Sequence, residues 1–565
     1  IILNFYSMKK YFLAVASFFI YSHISLGQVY PGQMDSTFVP VRSHHYDPEL
    51  TFDFCVNEPA WSNQAGIHSA FGSTDRLYFR KEVPVNHDND LSSSYSTTVW
   101  RGERANAQIL VWSSEALEQV RVSTQDLRSA EGNIIPKDRI TFELVRYVLS
   151  NYPYAEKKAI CGESPYKSGF LMPDRFETLD RFDLPSQTTR PVWMMVDVPR
   201  GTAPGTYKGQ VEVRAKGKAP QLLNLEIVVQ NQLLPYPKDW KYRLDLWQNP
   251  WAVAWYNHVE PWSPEHKMLL KQHLKHYADA GGTYITTYGV HSPWSDNSYM
   301  IEGGMIEWIK KADGTWAFDY KIFDEYVELA MECGINEAIT LYTPNPWGFR
   351  HRYKDEATGD YSYINWAPSS EEFKKMWNIF LTDFKFHLEA KSWLDITYIG
   401  INENPMEETL AAINVVRNHD KCWKITYAGN WHKELDGLLD DYSFLYGEEP
   451  TIAEQKARAA TGRTSTVYVC CNPPIPNNFV FSPPIEGRWI SWYVMAYEYD
   501  GFLRWAYDAW PEDADRDARH GSWAAGDCYM VYPGRQELHP LREDERGYRG
   551  FREGPYLTGA DRPIG

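Results

Sequence analysis

Hydrophobic positions change their spacing along the chain, and this change divides it into two regions. Up to about residue 235, apolar and polar residues alternate, as in Leu223–Val229, which is the period of half-buried β-strands. Turn-forming sequences such as Ala203–Gly205 separate these runs. The pattern predicts an all-β domain of the sandwich type over residues 28–237.

After residue 237, strand-like runs alternate with amphipathic helical segments. In the predicted helix Pro264–Ala280, for example, apolar residues recur at helical spacing. The predicted strands are Tyr242–Trp247, Tyr284–Tyr288, Glu337–Tyr342, Ile396–Ile401, Lys424–Ala428, Tyr442–Tyr446, Thr466–Cys470 and Gly501–Ala506. Repeated strand–helix units close a parallel sheet, so the sequence predicts a (β/α)₈ barrel of the TIM type over residues 238–510 and a C-terminal segment over 511–565.

The fourth predicted strand ends at the polar pair Asn402–Glu403. In barrels of this type the carboxyl ends of the strands form the active-site mouth, so Glu403 is placed for acid/base chemistry and is the first candidate catalytic residue. Aromatic and polar residues at or beyond the other strand ends suit a sugar ligand. The predicted substrate-binding residues are Trp247, Tyr288, His291, Tyr342, Trp347, Trp431, Tyr446, Glu448, Trp492, Glu498 and Trp505.

Composition narrows the class of partner. Aromatic residues make up 15% of the chain, with 23 Trp and 38 Tyr, and their rings can stack on the apolar faces of sugars. The formal charge of -17 argues against nucleic acid, since binding a phosphate backbone needs clustered Lys and Arg. We expect no metal or cofactor, because the chain has neither a CxxC pair nor an HExxH helix, and His273 and His276 lack a third ligand and are expected at the surface.

The two ends of the sequence carry separate signals. Lys9–Lys10, the apolar run Tyr11–Tyr21 and Ser25–Gly27 resemble a secretory signal peptide, with cleavage expected after Gly27. No later run approaches the ~20 apolar residues of a membrane span, so we expect an exported protein, periplasmic or extracellular. Beyond Arg535 the chain loses helical periodicity, and a one-nucleotide shift would restore it, which suggests a frameshift there.

Several segments resemble glycoside hydrolase family 123 and its relatives. Trp100–Leu127 is similar to the start of the family's β-sandwich, while Asp500–Asp513, Ala525–Asp527 and Val531–Gly534 are similar to its C-terminal segment. The resemblance implies hydrolysis of β-linked N-acetylgalactosamine, with an adjacent Asp–Glu pair at the end of the fourth barrel strand. This chain has Asn402 in place of that Asp, whereas Glu403 matches. The β-sandwich would then be either a carbohydrate-binding module or a structural domain packed against the barrel.

The resemblance implies a substrate-assisted retaining mechanism, in which the sugar's 2-acetamido oxygen is the nucleophile. Glu403 would be the general acid/base, and Asn402 would accept a hydrogen bond from the acetamido N–H without supplying the negative charge of Asp. One alternative is a retaining glycosidase in which Glu403 is the acid/base and Glu448 or Glu498 is a separate nucleophile. Another is a non-catalytic glycan-binding relative. The sequence leaves the oligomeric state open.

Overall fold

The computed structural model describes residues 58–84, 91–151, 169–294, 303–511, 513–520 and 523–533. The predicted signal peptide and the region of the predicted frameshift lie outside these residues. No helix in the described ranges is long and apolar enough to cross a membrane.

Two facing sheets form the first part of the chain. One sheet has the strand order β1 (His68–Gly72), β3 (Arg104–Ser113), β10 (Thr188–Asp197), β7 (Ile140–Asn151) and β8 (Gly169–Thr178). The other has the order β2 (Ser94–Arg101), β12 (Gln221–Leu233), β11 (Gly205–Arg214), β4 (Leu117–Thr124) and β9 (Phe182–Leu184), with the short strands β5 (Leu127–Arg128) and β6 (Ile134–Ile135) at its side.

Alternating residues from both sheets meet in one hydrophobic core. Ile109 and Met194 enter it from the first sheet, and Val211, Leu225 and Ile227 enter it from the second. Strands of the second sheet such as β12 thus bury one side and leave the other wetter, whereas β10 of the first sheet is buried on both sides. The predicted β-sandwich is confirmed.

Eight parallel strands form the second part of the chain. Their order around the sheet is β13 (Arg243–Leu246), β24 (Gly501–Arg504), β23 (Thr464–Tyr468), β22 (Asp441–Leu445), β21 (Lys424–Gly429), β20 (Thr397–Ile401), β17 (Ala338–Tyr342) and β14 (Tyr284–Tyr288). The first and last strands approach each other at the Leu244–Gly282 bridge, so the barrel is nearly closed. Each predicted strand corresponds to one of these eight, which confirms the predicted TIM-type barrel.

The strands are apolar because they are covered on both faces. Every residue of β14, β17, β20, β22 and β23 is buried, as expected for parallel strands with side chains inside the barrel and helices outside it. The helices are α1 (Glu58–Trp61), α2 (Pro250–Asn257), α3 (Pro264–Asp279), α4 (Lys321–Cys333), α5 (Glu371–Lys391), α6 (Met406–His419), α7 (Lys433–Asp436), α8 (Ile452–Ala459) and α9 (Pro484–Ala496).

A small sheet that the sequence patterns did not indicate is inserted into the barrel. Its order is β16 (Trp316–Asp319), β15 (Glu307–Lys310), β18 (Arg350–Asp355) and β19 (Tyr361–Asn365). Trp308 of this sheet stacks on Phe380 of α5, with ring centroids 4.7 Å apart. The sheet therefore extends the barrel core at the loops that follow β14 and β17.

The segment after β24 connects the barrel to the sandwich. The Tyr532 hydroxyl donates a hydrogen bond to the Asp174 carboxylate at 2.7 Å, and Leu149 pairs through its backbone with Arg516 and Ala518. These bonds tie the C-terminal segment to the strands of the first sheet.

One smaller expectation is wrong. His273 does not lie at the surface but is 1% exposed, and its Nε2 bonds to Asp508 Oδ2 at 2.8 Å. Its position on α3 faces the C-terminal segment, a contact that the spacing of residues on the helix does not reveal. His276 is partly exposed.

Candidate active site

A cavity of about 230 Å³ opens at the carboxyl ends of the barrel strands. Its wall contains tryptophans, small apolar residues, two cysteines and two carboxylates, contributed by Trp247, Trp294, Trp347, Ile401, Asn402, Glu403, Ala428, Tyr468, Cys470, Cys471, Leu503, Trp505, Trp523 and Asp527. Of the two cysteines, Cys470 is a free thiol and Cys471 is in a disulfide. A small aromatic hollow with few polar groups is the usual form of a ligand site.

Glu403 is the second residue after β20 and lines this cavity. Its side chain is exposed to the hollow, yet the surrounding walls displace bulk water, and this desolvation raises the pKa of its carboxyl above the usual value. The Tyr468 hydroxyl donates a 3.2 Å hydrogen bond to Oε1, which opposes part of that rise. A raised pKa favours the protonated form of the carboxyl, which is the form that a general acid needs to donate a proton to a leaving group.

Tyr468 is held as a donor to Glu403. It is the last residue of β23, and burial together with the charge of Glu403 raises its pKa well above the ordinary tyrosine value. Its hydroxyl therefore keeps its proton over the working range of most enzymes. It can orient the Glu403 carboxyl in both the neutral and the ionised form.

The Asn402 side chain is only 3% exposed, and both of its polar atoms have partners. The Trp294 indole donates to Oδ1 at 2.9 Å, and Nδ2 donates to the Pro293 carbonyl at 3.1 Å. An indole N–H can only donate and a carbonyl can only accept, so these two contacts determine which way the amide faces. The side chain of Asn345 binds the Asn402 backbone twice. The Asn402 N–H donates to Asn345 Oδ1 at 3.0 Å, and Asn345 Nδ2 donates to the Asn402 carbonyl at 2.9 Å.

Aromatic rings form the cavity floor. Trp247 and Trp294 stack with ring centroids 5.0 Å apart, and the buried Tyr342 ring packs beneath them at 4.5 and 4.8 Å. Gly400 makes room for this arrangement, because a Cβ at that position would lie 2.6 Å from Tyr342 Cε1. The Trp247 indole also donates to Asp245 at 3.2 Å. The floor is therefore held in place by both packing and a hydrogen bond.

Arg504 and Asp527 form a buried ion pair at the side of the cavity opposite Glu403. Arg504 is the last residue of β24 and is 0% exposed, whereas Asp527 belongs to the C-terminal segment and is 4% exposed. Arg504 Nη2 donates to Asp527 Oδ1 at 2.5 Å, and its other donors bind the carbonyls of Val469 and Asp527. Burial raises the pKa of Asp527 to about 6, while the charge of Arg504 pulls it down.

The structure brings five of the predicted site residues together. Those that line the cavity are Glu403, Asn402, Trp247, Trp347 and Trp505.

Two other predicted residues lie beneath the cavity. Tyr342 supports the floor, and Tyr288 is buried with its hydroxyl donating to the Gln248 carbonyl at 2.8 Å. Successive residues of a strand point to opposite faces, so a position at a strand end does not by itself direct a side chain to the mouth.

The remaining predicted residues lie outside the lining of this cavity. His291 packs near Tyr363 of the inserted sheet, with ring centroids 6.5 Å apart, and burial lowers its pKa to about 3, so its ring is neutral. Trp431 packs against strand β22, whose residue Phe444 lies 5.8 Å away between ring centroids. Tyr446, Glu448, Trp492 and Glu498 are likewise absent from the lining, and Trp492 is 54% exposed on α9.

Sequence reasoning missed Tyr468, Trp523 and Asp527. Tyr468 lies within a predicted strand, but the other two belong to a segment without regular spacing. The one available signal for Asp527 was the Ala525–Asp527 motif, which resembles the family's C-terminal segment. In the structure, Gly526 of this motif has φ +81°, a left-handed conformation that glycine adopts without strain.

Comparisons with known proteins agree with this architecture. The profile of the glycoside hydrolase 123 catalytic domain matches residues 247–544, and that of the glycoside hydrolase 123 N-terminal domain matches residues 71–215. No curated protein sequence matches the chain. A solved structure of a family 123 glycoside hydrolase from Clostridium perfringens, studied for glycolipid glycan hydrolysis, is 27% identical and has a TM-score of 0.78. That match covers 88% of this chain and 87% of the other.

A second similarity is too weak to support an argument. A family 5 xyloglucanase from Bacteroides ovatus is 8% identical, with 76% of this chain and 96% of that chain covered, but the TM-score is 0.23. The family assignment therefore depends on the two domain profiles, of which the catalytic one spans more than half of the sequence. The chain belongs to glycoside hydrolase family 123.

Proposed function

We propose that this protein hydrolyses β-linked N-acetylhexosamine, with N-acetylgalactosamine favoured, by a substrate-assisted retaining mechanism. The observation that carries the proposal is the position of Glu403. Its carboxyl reaches into a small aromatic cavity, has a raised pKa, and stands next to an amide that can receive an acetamido group. A cavity of about 230 Å³ suits one sugar residue better than a long oligosaccharide.

In the first step, neutral Glu403 donates its proton to the glycosidic oxygen while the acetamido oxygen of the sugar attacks C1. The bond from C1 to the leaving group breaks, and an oxazolinium intermediate forms. Asn402 Oδ1 accepts one hydrogen bond from Trp294 and has a second lone pair for the acetamido N–H. Asn402 thereby orients the nucleophile, although it brings no charge to the developing cation.

In the second step, ionised Glu403 removes a proton from a water molecule, and the water oxygen attacks C1 from the side that the leaving group left. The oxazolinium ring opens, and two inversions at C1 amount to retention of configuration. The Tyr468 hydroxyl can keep its 3.2 Å hydrogen bond to Glu403 throughout. The stacked tryptophans at the floor offer a flat apolar surface to the face of the sugar ring.

The natural substrate that we propose is the glycan of a glycolipid or another glycoconjugate. The support is the similarity to the Clostridium perfringens family 123 enzyme, which was studied for glycolipid glycan hydrolysis. The signal-like N-terminal sequence would export the protein to the periplasm or the medium, where such glycans are found.

A mechanism with two carboxylates is the second candidate. Glu448 and Glu498 do not line the cavity, but Asp527 does, so a second carboxylate is present. One carboxylate oxygen of Asp527 accepts a hydrogen bond from Arg504. In such a mechanism Glu403 would serve as acid/base and the enzyme would not require the acetamido group.

The deciding experiment compares 4-nitrophenyl β-N-acetylgalactosaminide with 4-nitrophenyl β-galactoside, with a thiazoline inhibitor as an additional arm. We expect hydrolysis of the acetamido substrate only, and inhibition by the thiazoline, which imitates the oxazolinium. Comparable rates on both substrates would favour the two-carboxylate mechanism. No turnover of any aryl glycoside by folded protein, together with binding of the free sugar, would indicate a glycan-binding relative.

A further inference from the structure

Asp527 has one oxygen left for a ligand. Oδ1 is bound to Arg504 at 2.5 Å, whereas no described residue donates a hydrogen bond to Oδ2. Oδ2 is nevertheless not fully enclosed, and Asp527 is one of the residues that line the cavity. Asp527 is only 4% exposed, and Oδ2 is its one carboxylate oxygen without a hydrogen-bond donor among the described residues.

Arg504 holds the Asp527 carboxylate in place through hydrogen bonds to three parts of the chain. It binds the carbonyls of Val469 and Cys470, the side chain of Asn477, and both the carbonyl and the carboxylate of Asp527. The turn around Gly526 adds a bond from the Asp527 N–H to the Ala524 carbonyl at 3.0 Å. The carboxylate is therefore held rigidly before any ligand arrives, as a specificity-determining group must be.

The topology places Asp527 across the cavity from Glu403. Glu403 follows β20, and Asp527 is fastened to the end of β24. Three strands separate β20 from β24 on either side of the barrel order, so the two strands are opposite each other. Between them, Cys470 feels both negative charges, which add to the effect of burial in raising its pKa to about 12.

The geometry points to Asp527 as a specificity-determining residue that accepts a hydrogen bond from the C4 or C6 hydroxyl of the bound sugar. This inference rests on the proposed function, in which Glu403 and Asn402 engage the substituents of C1 and C2. The opposite edge of a pyranose ring carries C4 and its neighbour C5 with the C6 hydroxyl. A carboxylate on the opposite wall therefore faces the part of the sugar that distinguishes galacto from gluco configuration.

The test combines a variant with altered substrates. We expect Asp527→Asn to lower kcat/KM for the aryl N-acetylgalactosaminide by about 10- to 100-fold, the worth of one charge-assisted hydrogen bond. Removal of the contacted hydroxyl, in the 4-deoxy or 6-deoxy substrate, should cost the wild type a similar factor but cost Asp527→Asn less than about threefold. Removal of the C3 hydroxyl should lower kcat/KM by the same factor for the wild type and for Asp527→Asn.

Asp517→Asn is the matched control. Asp517 pairs with Arg519 at 2.7 Å in the same C-terminal segment but does not line the cavity, so this variant should retain the wild-type response to every deoxy substrate. If Asp527→Asn does not fold, Asp527→Glu keeps the partner of Arg504 and moves the carboxylate further into the cavity. It should raise KM for the 4-hydroxyl or 6-hydroxyl substrate but not for the matching deoxy compound.

Two results would overturn the inference. In the first, all three deoxy substrates lose the same factors with the Asp527 variants as with the wild type. In the second, azide restores turnover to Asp527→Asn, which would make Asp527 a nucleophile. Failure of the proposed function looks different, because the wild type would then either cleave no N-acetylhexosaminide or cleave the β-galactoside at a comparable rate.

Discussion

Replacing Asn402 by Asp separates the electrostatic role of this position from its structural role. Asn402→Asp exchanges the Nδ2 donor, which binds the Pro293 carbonyl at 3.1 Å, for an oxygen that cannot donate when ionised. The buried carbonyl then loses its partner and meets a negative oxygen, at a cost to folding stability of about 1–3 kcal/mol. The Trp294 indole still donates to the other oxygen.

The same substitution should increase the rate on acetamido substrates. A hydrogen bond to a charged acceptor is worth about 1 kcal/mol more than one to a neutral amide, so we expect kcat/KM to rise about five- to tenfold. The stability deficit should depend on pH, because burial raises the pKa of a carboxyl at this site. The folded state would keep a proton that the unfolded chain releases above about pH 4, so the melting temperature should fall further behind the wild type as pH rises.

The assay is steady-state kinetics on the aryl N-acetylgalactosaminide, together with melting temperatures at pH 4.5 and pH 7.5. Asn404→Asp is the matched control, since Asn404 Nδ2 also donates to a backbone carbonyl, that of Asn345 at 2.9 Å, but does not line the cavity. It should lower the melting temperature without increasing the rate. An unchanged or lower rate in folded Asn402→Asp would refute the reasoning about charge, and an unchanged melting temperature would refute the role of Pro293.

Three further predictions concern the acid/base and the floor. Glu403→Gln should lower kcat by at least about 100-fold. The affinity for N-acetylgalactosamine, measured by calorimetry, should stay within a few-fold of the wild type. Unaltered turnover would eliminate Glu403 as the acid/base. Tyr468→Phe removes the hydrogen-bond donor that lowers the pKa of Glu403. The alkaline limb of the kcat/KM profile reports the loss of the proton that Glu403 must donate, so this limb should move to higher pH. A limb that stays in place or moves to lower pH would contradict this prediction. Gly400→Ala would put a methyl group against the Tyr342 ring and should cost about 1–3 kcal/mol of folding stability, seen as a lower melting temperature. An unchanged melting temperature would show that the aromatic rings of the cavity floor can shift to accommodate the methyl group.

The architecture was accessible from local patterns for a physical reason. Strands such as β20 and β22 are covered on both faces, so they read as short apolar runs, and helices such as α4 repeat apolar residues with the period of one buried side. The inserted strands β15 and β18 were missed because they are short and half-exposed, with charged and aromatic residues in place of an apolar run.

The sequence by itself determined the sandwich, the barrel and the position of Glu403 after the fourth strand, because spacing along one segment decides how that segment buries its apolar side. Only the tertiary structure decided which strand-end aromatics face the cavity, that Asn402 is held between Trp294 and Pro293, and that Asp527 stands across from Glu403. The residues of these pairs lie about 110–125 positions apart in the sequence, and no local period records which way their side chains point. Closure of the barrel and the return of the C-terminal segment over its mouth bring them together.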